Sequence, residues 1–199
     1  MNQLVYTLDN SIYLNLTNRC PCHCILCIRQ GQDTVGDSDI LWLKQEPTAD
    51  EVLTELWKLD LSHYKEIVFC GYGEPMERLD VLLEICRRVK ERCRLPIRIN
   101  TNGLSDLIQQ KPTAPLLKGL IDSVSISLNA PNAQRFQEIT RSIYGLQSFP
   151  ALLDFAKSCK ESVSQVQFSV VDILSEEEID ECQRLADELG IPLRVRKKI

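Results

Sequence analysis

The chain has 199 residues, of which 44% are hydrophobic and 26% charged, the composition of an ordinary globular protein. This length can bury a core without disulfide bonds or structural metal ions, and no linker or repeat interrupts it, so we expect one domain over residues 1–199. The net charge of -5 excludes the broad basic surface that nucleic-acid binding needs. No signal-peptide pattern opens the chain and no apolar run approaches the roughly 18 residues that cross a bilayer, so we expect a cytoplasmic protein without a membrane partner.

Strand and helix patterns alternate along the chain. Beta-branched and aromatic runs between turn residues predict strands over residues 11–17, 66–70, 97–101, 123–128, 166–171 and 192–196. Capping boxes predict helices that begin at Ala49 and Glu176, and apolar residues at helical spacing predict helices over 79–89 and 149–159. Strands that alternate with helices run parallel, so we expect an α/β fold.

Polar and apolar residues alternate within most of these strands, as where Arg98 and Asn100 follow Ile97 and Ile99. Parallel strands covered on both faces read instead as continuous apolar runs, so one face of this sheet should be polar. That face could line the lumen of a partly closed barrel with a polar ligand inside, or it could be exposed to solvent.

Four cysteines crowd into residues 20–27, directly after the first candidate strand. Cys20, Cys24 and Cys27 have the spacing C-x3-C-x2-C, and three thiolates can each bind one iron of a four-iron cluster while the fourth iron stays open. The alternative is a structural zinc site with Cys22 as the fourth ligand, although such sites usually combine two separated ligand pairs. We do not expect Cys22 to bind a cluster, because only one residue separates it from Cys24.

Further motifs end the next three candidate strands, and with the cysteines they resemble those of the radical S-adenosylmethionine (SAM) superfamily. The motifs are Gly71-Tyr72-Gly73-Glu74-Pro75, Thr101-Asn102-Gly103, and Ser127 with Asn129. Carboxyl ends of strands are where a barrel builds its active site. The resemblance implies a partial (β/α)6 barrel of six parallel strands, similar to a TIM barrel, as a single radical SAM core domain.

The resemblance also implies a role for each motif. Cys20, Cys24 and Cys27 would hold a 4Fe-4S cluster. The motif of residues 71–75 would contact the methionine amino group of SAM through Gly71, Gly73 and Glu74. The other implied SAM contacts are Asn102, Ser127 and Asn129.

The implied activity is reductive cleavage of SAM to methionine and a 5'-deoxyadenosyl radical, which abstracts hydrogen from a substrate. An electron donor such as flavodoxin or ferredoxin would be a partner. The substrate could be a small molecule or peptide, or a protein partner on which the chain installs a glycyl radical. A non-catalytic zinc-binding module stays open as the alternative outside the family.

A narrower resemblance links the chain to the radical SAM proteins described as TatD-associated, and it rests on residues 13–20, 67–75, 97–103 and 168–172. It implies a functional link to a TatD-like hydrolase. Two positions depart from the superfamily pattern. Leu26 stands where an aromatic residue is frequent beside the adenine, and Tyr72 replaces the first glycine of the usual pair.

Two further segments carry expectations. Residues 28–47 are longer than ordinary connections, so we expect a lid or partner-contact loop, with a disordered insertion as the alternative. In the last strand, Leu193 and Val195 should face the helices, and Arg194 and Arg196 the lumen, where Arg196 would bind a carboxylate of SAM or of an acidic substrate. Lys197 and Lys198 are expected to be solvated at the chain end. The alternative is a frayed, solvated chain end.

The five cysteines outside the loop lie within strand and helix patterns, where small packing residues are common. They are Cys70, Cys86, Cys93, Cys159 and Cys182.

Overall fold

The computed structural model describes residues 3–36 and 38–197. Within them the chain forms a seven-stranded sheet whose spatial order follows the chain order. The strands are β1 Val5–Leu8, β2 Ser11–Leu14, β3 Glu66–Phe69, β4 Ile97–Thr101, β5 Ser123–Ser127, β6 Gln165–Val171 and β7 Leu193–Arg196. The α-helices are α1 Ala49–Leu56, α2 Leu79–Arg92, α3 Ser105–Gln109, α4 Ala133–Thr140, α5 Ser148–Ser162 and α6 Glu176–Leu189.

The six strands from β2 to β7 pair parallel in sequence, as the alternation of strands and helices predicts. One addition is β1, which pairs antiparallel with β2 through a tight turn in which Asp9 has a φ of 50°. The order runs from β1 to β7 without closing, so the sheet is a partial barrel with two edges.

Both predicted capping boxes are present. The Thr48 hydroxyl accepts from the Glu51 amide at the start of α1, and Ser175 and Glu178 repeat this arrangement at the start of α6. The sequence patterns also located α2 and α5, while α3 and α4 were not predicted. At α4 the Asn132 side chain caps the first turn, a signal that the sequence carries.

The two faces of the sheet differ as the alternation predicts. Ile97, Ile99 and Phe168 are fully buried in the core between sheet and helices, whereas Arg98 and Asn100 are only half-buried. On β7 the pattern is weaker, because Leu193 packs against the core but Val195 is 47% exposed. The polar face therefore lines the concave side of the partial barrel, and the last strand is covered by helix only in part.

Among the described residues, no helix combines the length and the apolar composition needed to cross a membrane.

Replacing Phe168 with alanine tests the core. The side chain is fully buried, so the change should lower the free energy of unfolding by about 3–5 kcal/mol. Val195 lies on the same face of the adjacent strand but is 47% exposed, so Val195→Ala should change it by no more than about 0.5 kcal/mol. Denaturant unfolding of both variants measures the difference, and equal losses would contradict this assignment of the core.

Candidate functional site

The carboxyl ends of β2, β3 and β4 bring three loops together. The cysteine loop, residues 18–27, follows β2 after a short extension, the glycine loop, residues 71–75, follows β3, and residues 102–104 follow β4. In parallel sheets this edge is where ligands bind.

The glycine loop packs directly on the backbone that leads into the cysteine loop. The Glu74 amide donates to the Arg19 carbonyl over 2.8 Å. A Cβ atom on Gly73 would lie 2.3 Å from the Thr17 carbonyl oxygen, and one on Gly71 would lie 2.0 Å from the Asn15 side chain. Gly73 therefore permits a close approach of two backbones, whereas at Gly71 a larger residue would displace the Asn15 side chain.

Glu74 is buried and joins the ends of β3 and β4. Its carboxylate accepts from the Asn102 amide and the Thr101 hydroxyl, each over 2.8 Å, and from the Met76 amide over 3.1 Å. Burial, with a smaller contribution from the negative charge of Cys20, raises the pKa of Glu74 to about 8 despite these hydrogen bonds. The structure thus gives Glu74 an organising role in the site, and its contact with SAM stays a prediction.

The four thiols of the cysteine loop are not equivalent. Cys22 is 2% exposed and belongs to the hydrophobic core, whereas Cys20, Cys24 and Cys27 are half-buried. Hydrogen bonding with the Cys22 thiol is the main reason that the pKa of the Cys20 thiol and that of the Cys24 thiol are lowered. The Asn102 side-chain nitrogen lies 3.9 Å from the Cys20 sulfur. The three partly accessible thiols are those of the C-x3-C-x2-C pattern.

The far side of the cysteine loop is fixed to the end of α4. The His23 and Ile25 amides donate to the carbonyls of Thr140 and Ile139, each over 2.9 Å, and the Ile143 amide donates to Pro21 over 3.0 Å. The loop is therefore held by backbone hydrogen bonds on one side and by the glycine loop on the other.

The donor set of the loop suits an iron–sulfur cluster. Three thiols lie on one loop, and soft thiolate ligands favour such clusters. Across residues 3–36 and 38–197, no three Cys, His, Asp or Glu side chains gather so that they could hold a metal ion together. A four-iron cluster places its thiolates on separate irons and does not need them to converge on one point. The three partly accessible thiols on one loop therefore fit the ligand set of a four-iron cluster.

Near the carboxyl ends of the later strands, two buried polar atoms have no hydrogen-bond partner within residues 3–36 and 38–197. They are the Asn129 side-chain oxygen and the Arg196 Nε. Asn129 follows β5 with a φ of 56°, and burial lowers the pKa of the Arg196 guanidinium. Ser127 is half-buried opposite Ser169 of β6. Orphaned buried polar atoms in a native fold mark places for an absent ligand or water. Lys198 lies outside the described residues.

Cys70 differs from the other cysteines that the sequence assigned to packing. Cys86, Cys159 and Cys182 are buried in the hydrophobic core. Cys70 instead lies on the polar face, where it hydrogen-bonds Asn100 and where burial raises its pKa. Its polar surroundings correct the expectation of an ordinary apolar contact.

The segment of residues 28–47 packs over β2 in its described part. Leu41 is fully buried and its carbonyl accepts from the Asn15 side chain over 2.7 Å. The Tyr72 hydroxyl donates to the Gln32 carbonyl over 2.6 Å. Tyr72, which departs from the family's glycine pair, therefore anchors this segment beside the cysteine loop. Asp37 lies outside the described residues.

The opposite end of the sheet holds a cavity of about 610 Å³, lined in part by Glu66, Arg98, Ser123 and Gln165. It lies at the amino ends of the strands, away from the cysteine loop. Arg98 there forms a bidentate pair with Glu66, with N–O distances of 2.9 and 3.0 Å. The charges of Arg98 and Glu66 in this cavity therefore neutralise each other.

Sequence reasoning missed three polar residues that hold the cysteine loop. Asn15 and Asn18 bind the backbone of residues 41 and 43 through their side chains, and Arg29 donates to the Asn18 carbonyl. An asparagine within an otherwise apolar strand end was the available signal for Asn15. Nothing local in the sequence indicates which backbone groups the other two reach.

Comparison with known families agrees with this geometry, since residues 14–189 match the model of the radical SAM superfamily. The chain belongs to the radical SAM superfamily. Enzymes of this superfamily use SAM and a 4Fe-4S cluster. The TatD-associated subgroup is not confirmed by the match.

The curated relatives and solved structures that match are longer than this chain. It is 29% identical to the GTP 3',8-cyclase of Lactiplantibacillus plantarum over 136 residues, 67% of this chain and 38% of the relative. It is 26% identical to the probable GTP 3',8-cyclase of Thermococcus kodakarensis over 189 residues, 93% of this chain and 55% of the relative. The chain thus spans between about two fifths and just over half the length of these relatives.

The fold is shared with Streptococcus suis SuiB bound to S-adenosylmethionine. The TM-score is 0.67 at 17% identity, and the match covers 94% of this chain and 38% of SuiB. This similarity supports the partial barrel.

Gly73→Ala tests the contact between the two loops. The added Cβ would meet backbone oxygens, which cannot move aside as a side chain can, so we expect a loss of about 1–3 kcal/mol in unfolding free energy. The cysteine loop should also be displaced and lose iron after anaerobic reconstitution. Gly31→Ala, where a Cβ meets nothing within 4 Å, is the matched control. Equal behaviour of the two variants would show that the close approach is not required.

The raised pKa of Glu74 makes stability depend on pH. The folded-state pKa of about 8 lies above the ordinary 4.5, so the folded protein binds this proton more tightly than the unfolded chain. The stabilisation is present below pH 4.5 and is lost as the pH rises through 8. Because one pKa unit corresponds to about 1.4 kcal/mol, the loss should be of the order of a few kcal/mol.

Glu74→Gln removes this titration. In metal-free protein under reducing conditions, denaturant unfolding between about pH 5 and pH 8 should show a smaller decline for Glu74→Gln than for the wild type. Parallel pH profiles would mean that the Glu74 carboxylate is ionised in the folded protein throughout this range.

Proposed function

We propose that this chain binds a 4Fe-4S cluster through Cys20, Cys24 and Cys27 and reductively cleaves SAM to a 5'-deoxyadenosyl radical that abstracts hydrogen from a substrate. The observation that carries the proposal is the set of three half-buried thiols on one loop, at the edge where β2, β3 and β4 end. With SAM bound, the cluster supplies one electron for the cleavage of a carbon–sulfur bond. All other tasks fall to the protein.

The first task is to present three thiolates and leave the fourth thiol aside. Cys22 is 2% exposed and belongs to the hydrophobic core, so its sulfur, although it contacts Cys20 and Cys24, is the least accessible of the four to an iron atom. Cys20, Cys24 and Cys27 are already partly accessible. This difference in burial supports the same three ligands as the spacing.

The second task is to bind the polar groups of SAM. The orphaned Asn129 oxygen can accept a hydrogen bond from a ribose hydroxyl, and the Arg196 Nε can donate to a carboxylate. Ser127 faces the same concave side. A charge-assisted bond from Arg196 would bind the carboxylate of SAM or an anionic group of the substrate. Gly71, Gly73 and Asn102 complete the proposed SAM site next to the cysteine loop.

The third task is to exclude water from a reactive radical. The segment of residues 28–47 already packs over β2 and contacts the glycine loop through Tyr72. We assign it the role of a lid. Leu26, half-buried at the end of the cysteine loop, offers the adenine apolar contact without ring stacking.

The proposed partners and substrate are inferred from the chemistry of the reaction and from the charge of the site. A one-electron donor such as flavodoxin or ferredoxin would reduce the cluster. Arg196 and the exposed Arg194 lie on the concave side, which favours a substrate with an anionic group. The runs that resemble TatD-associated proteins support a link to a TatD-like hydrolase as part of this proposal.

Cysteine variants test the ligand assignment. Anaerobic reconstitution with iron and sulfide should give a brown protein that releases 5'-deoxyadenosine from SAM under reduction. Replacement of Cys20, Cys24 or Cys27 by alanine should abolish iron binding, because each removes one of three ligands. Cys22→Ser should retain it. Equal loss of iron in all four variants would show that the assignment of the three ligands is wrong. Retention of zinc without SAM cleavage would support a zinc-binding module instead.

A further inference from the structure

Arg29 reaches both ends of the cysteine loop with one side chain. It lies two residues after Cys27, in the short 3-10 helix Ile28–Gln30. Its Nε donates to the Cys27 sulfur over 3.3 Å, and its Nη1 donates to the Asn18 carbonyl over 2.9 Å. The guanidinium is thus in direct contact with one of the three proposed cluster ligands.

The position of Arg29 is fixed from outside the loop. The guanidinium carbon lies 5.7 Å from the ring centre of Trp42, close enough for a cation–π contact. The Trp42 indole nitrogen donates to Asp33 over 2.9 Å, and its ring meets that of Tyr72 edge-on at 5.1 Å. The segment of residues 28–47 therefore holds the cation against the sulfur.

The two arginines at the ends of the cysteine loop differ in their ion pairs. Within residues 3–36 and 38–197, no Asp or Glu forms an ion pair with Arg29. By contrast, Arg19 at the other end of the same loop pairs with Glu46 at 2.7 Å and with Glu77 at 3.4 Å. Of these two arginines, only Arg29 offers its full positive charge to the thiols.

We infer that Arg29 is a positioning and tuning residue for the cluster, whose hydrogen bond to the Cys27 sulfur raises the reduction potential of the loaded loop. The inference rests on the proposed function. Reduction transfers one electron from the external one-electron donor and adds one negative charge. A fixed positive charge and an N–H donor at a ligand sulfur stabilise that more negative state. The residue thereby makes the first electron transfer easier.

The test measures the midpoint potential of the reconstituted protein without substrate. Arg29→Gln keeps a hydrogen-bond donor of similar length but removes the charge. We expect its midpoint to be more negative, with the ratio of reduced to oxidised cluster falling about tenfold at a fixed potential, which corresponds to about 59 mV for one electron. Arg29→Lys keeps the charge but loses the planar guanidinium that reaches both the Cys27 sulfur and the Asn18 carbonyl. Its midpoint potential should therefore lie between those of the wild type and Arg29→Gln.

A matched control removes the same charge elsewhere. Arg92 lies 4.6 Å from the ring centre of Trp57, at the end of α2. Arg92→Gln should leave the midpoint unchanged. Redox titration followed by visible absorption and electron paramagnetic resonance gives the potential, and iron content per chain is measured for every variant.

The outcomes separate the two ideas. Equal midpoints in wild type and Arg29→Gln at equal iron content overturn the inference and leave the proposed function standing. Loss of iron in both Arg29 variants, with unfolding free energy unchanged, also overturns the tuning role and makes Arg29 a residue that only holds the loop. Failure of the wild type to assemble any cluster overturns both the inference and the proposed function.

Discussion

The site depends on the close approach of two backbones at the ends of neighbouring parallel strands. Gly73 lets the loop after β3 lie against the chain between β2 and Cys20, at distances that a Cβ atom would prevent. The backbone hydrogen bond from Glu74 to Arg19 is made at this contact. The contact fixes where the cysteine loop begins. The thiols that follow are thereby held near the end of β4, where the Asn102 side chain lies 3.9 Å from the Cys20 sulfur.

A second layer of constraint comes from the buried Glu74 carboxylate. It accepts three hydrogen bonds from β4's end and from the turn after Pro75, so the glycine loop cannot move without breaking them. Its low-dielectric surroundings penalise the ionised form, which is why its pKa is raised. The geometry of the site is therefore coupled to one titratable group in addition to the cysteines.

Much of the fold follows from local sequence rules. The six parallel strands could be predicted because each is a short β-branched run between turn residues, and α1 and α6 because their capping boxes are local. The strand β1 was missed, although Asp9-Asn10 between two short alternating runs is a hairpin signal. The predicted end of the first parallel strand was wrong, since β2 ends at Leu14 and does not continue to residue 17.

The site divides in the same way. The spacing of Cys20, Cys24 and Cys27 is visible in the sequence, because loop ligands lie close together along the chain. The contacts of Arg29 and Asn18 are not visible, because they depend on how residues 28–47 fold back over β2. The polar setting of Cys70 was also hidden, since it depends on Asn100 from the next strand. Contacts between residues far apart in the chain can be identified only once the fold is known.

The edge formed by β7 has a consequence for the behaviour of the protein in concentrated solution. In the described part of the chain, β7 pairs only with β6, so one row of its backbone groups has no strand beside it. Exposed edges of this kind invite pairing with strands of other molecules. Arg194 and Lys197 are exposed at this edge, and like charges on two such edges repel each other on approach. The exposed basic residues at the end of the chain's described part therefore oppose strand pairing between two copies.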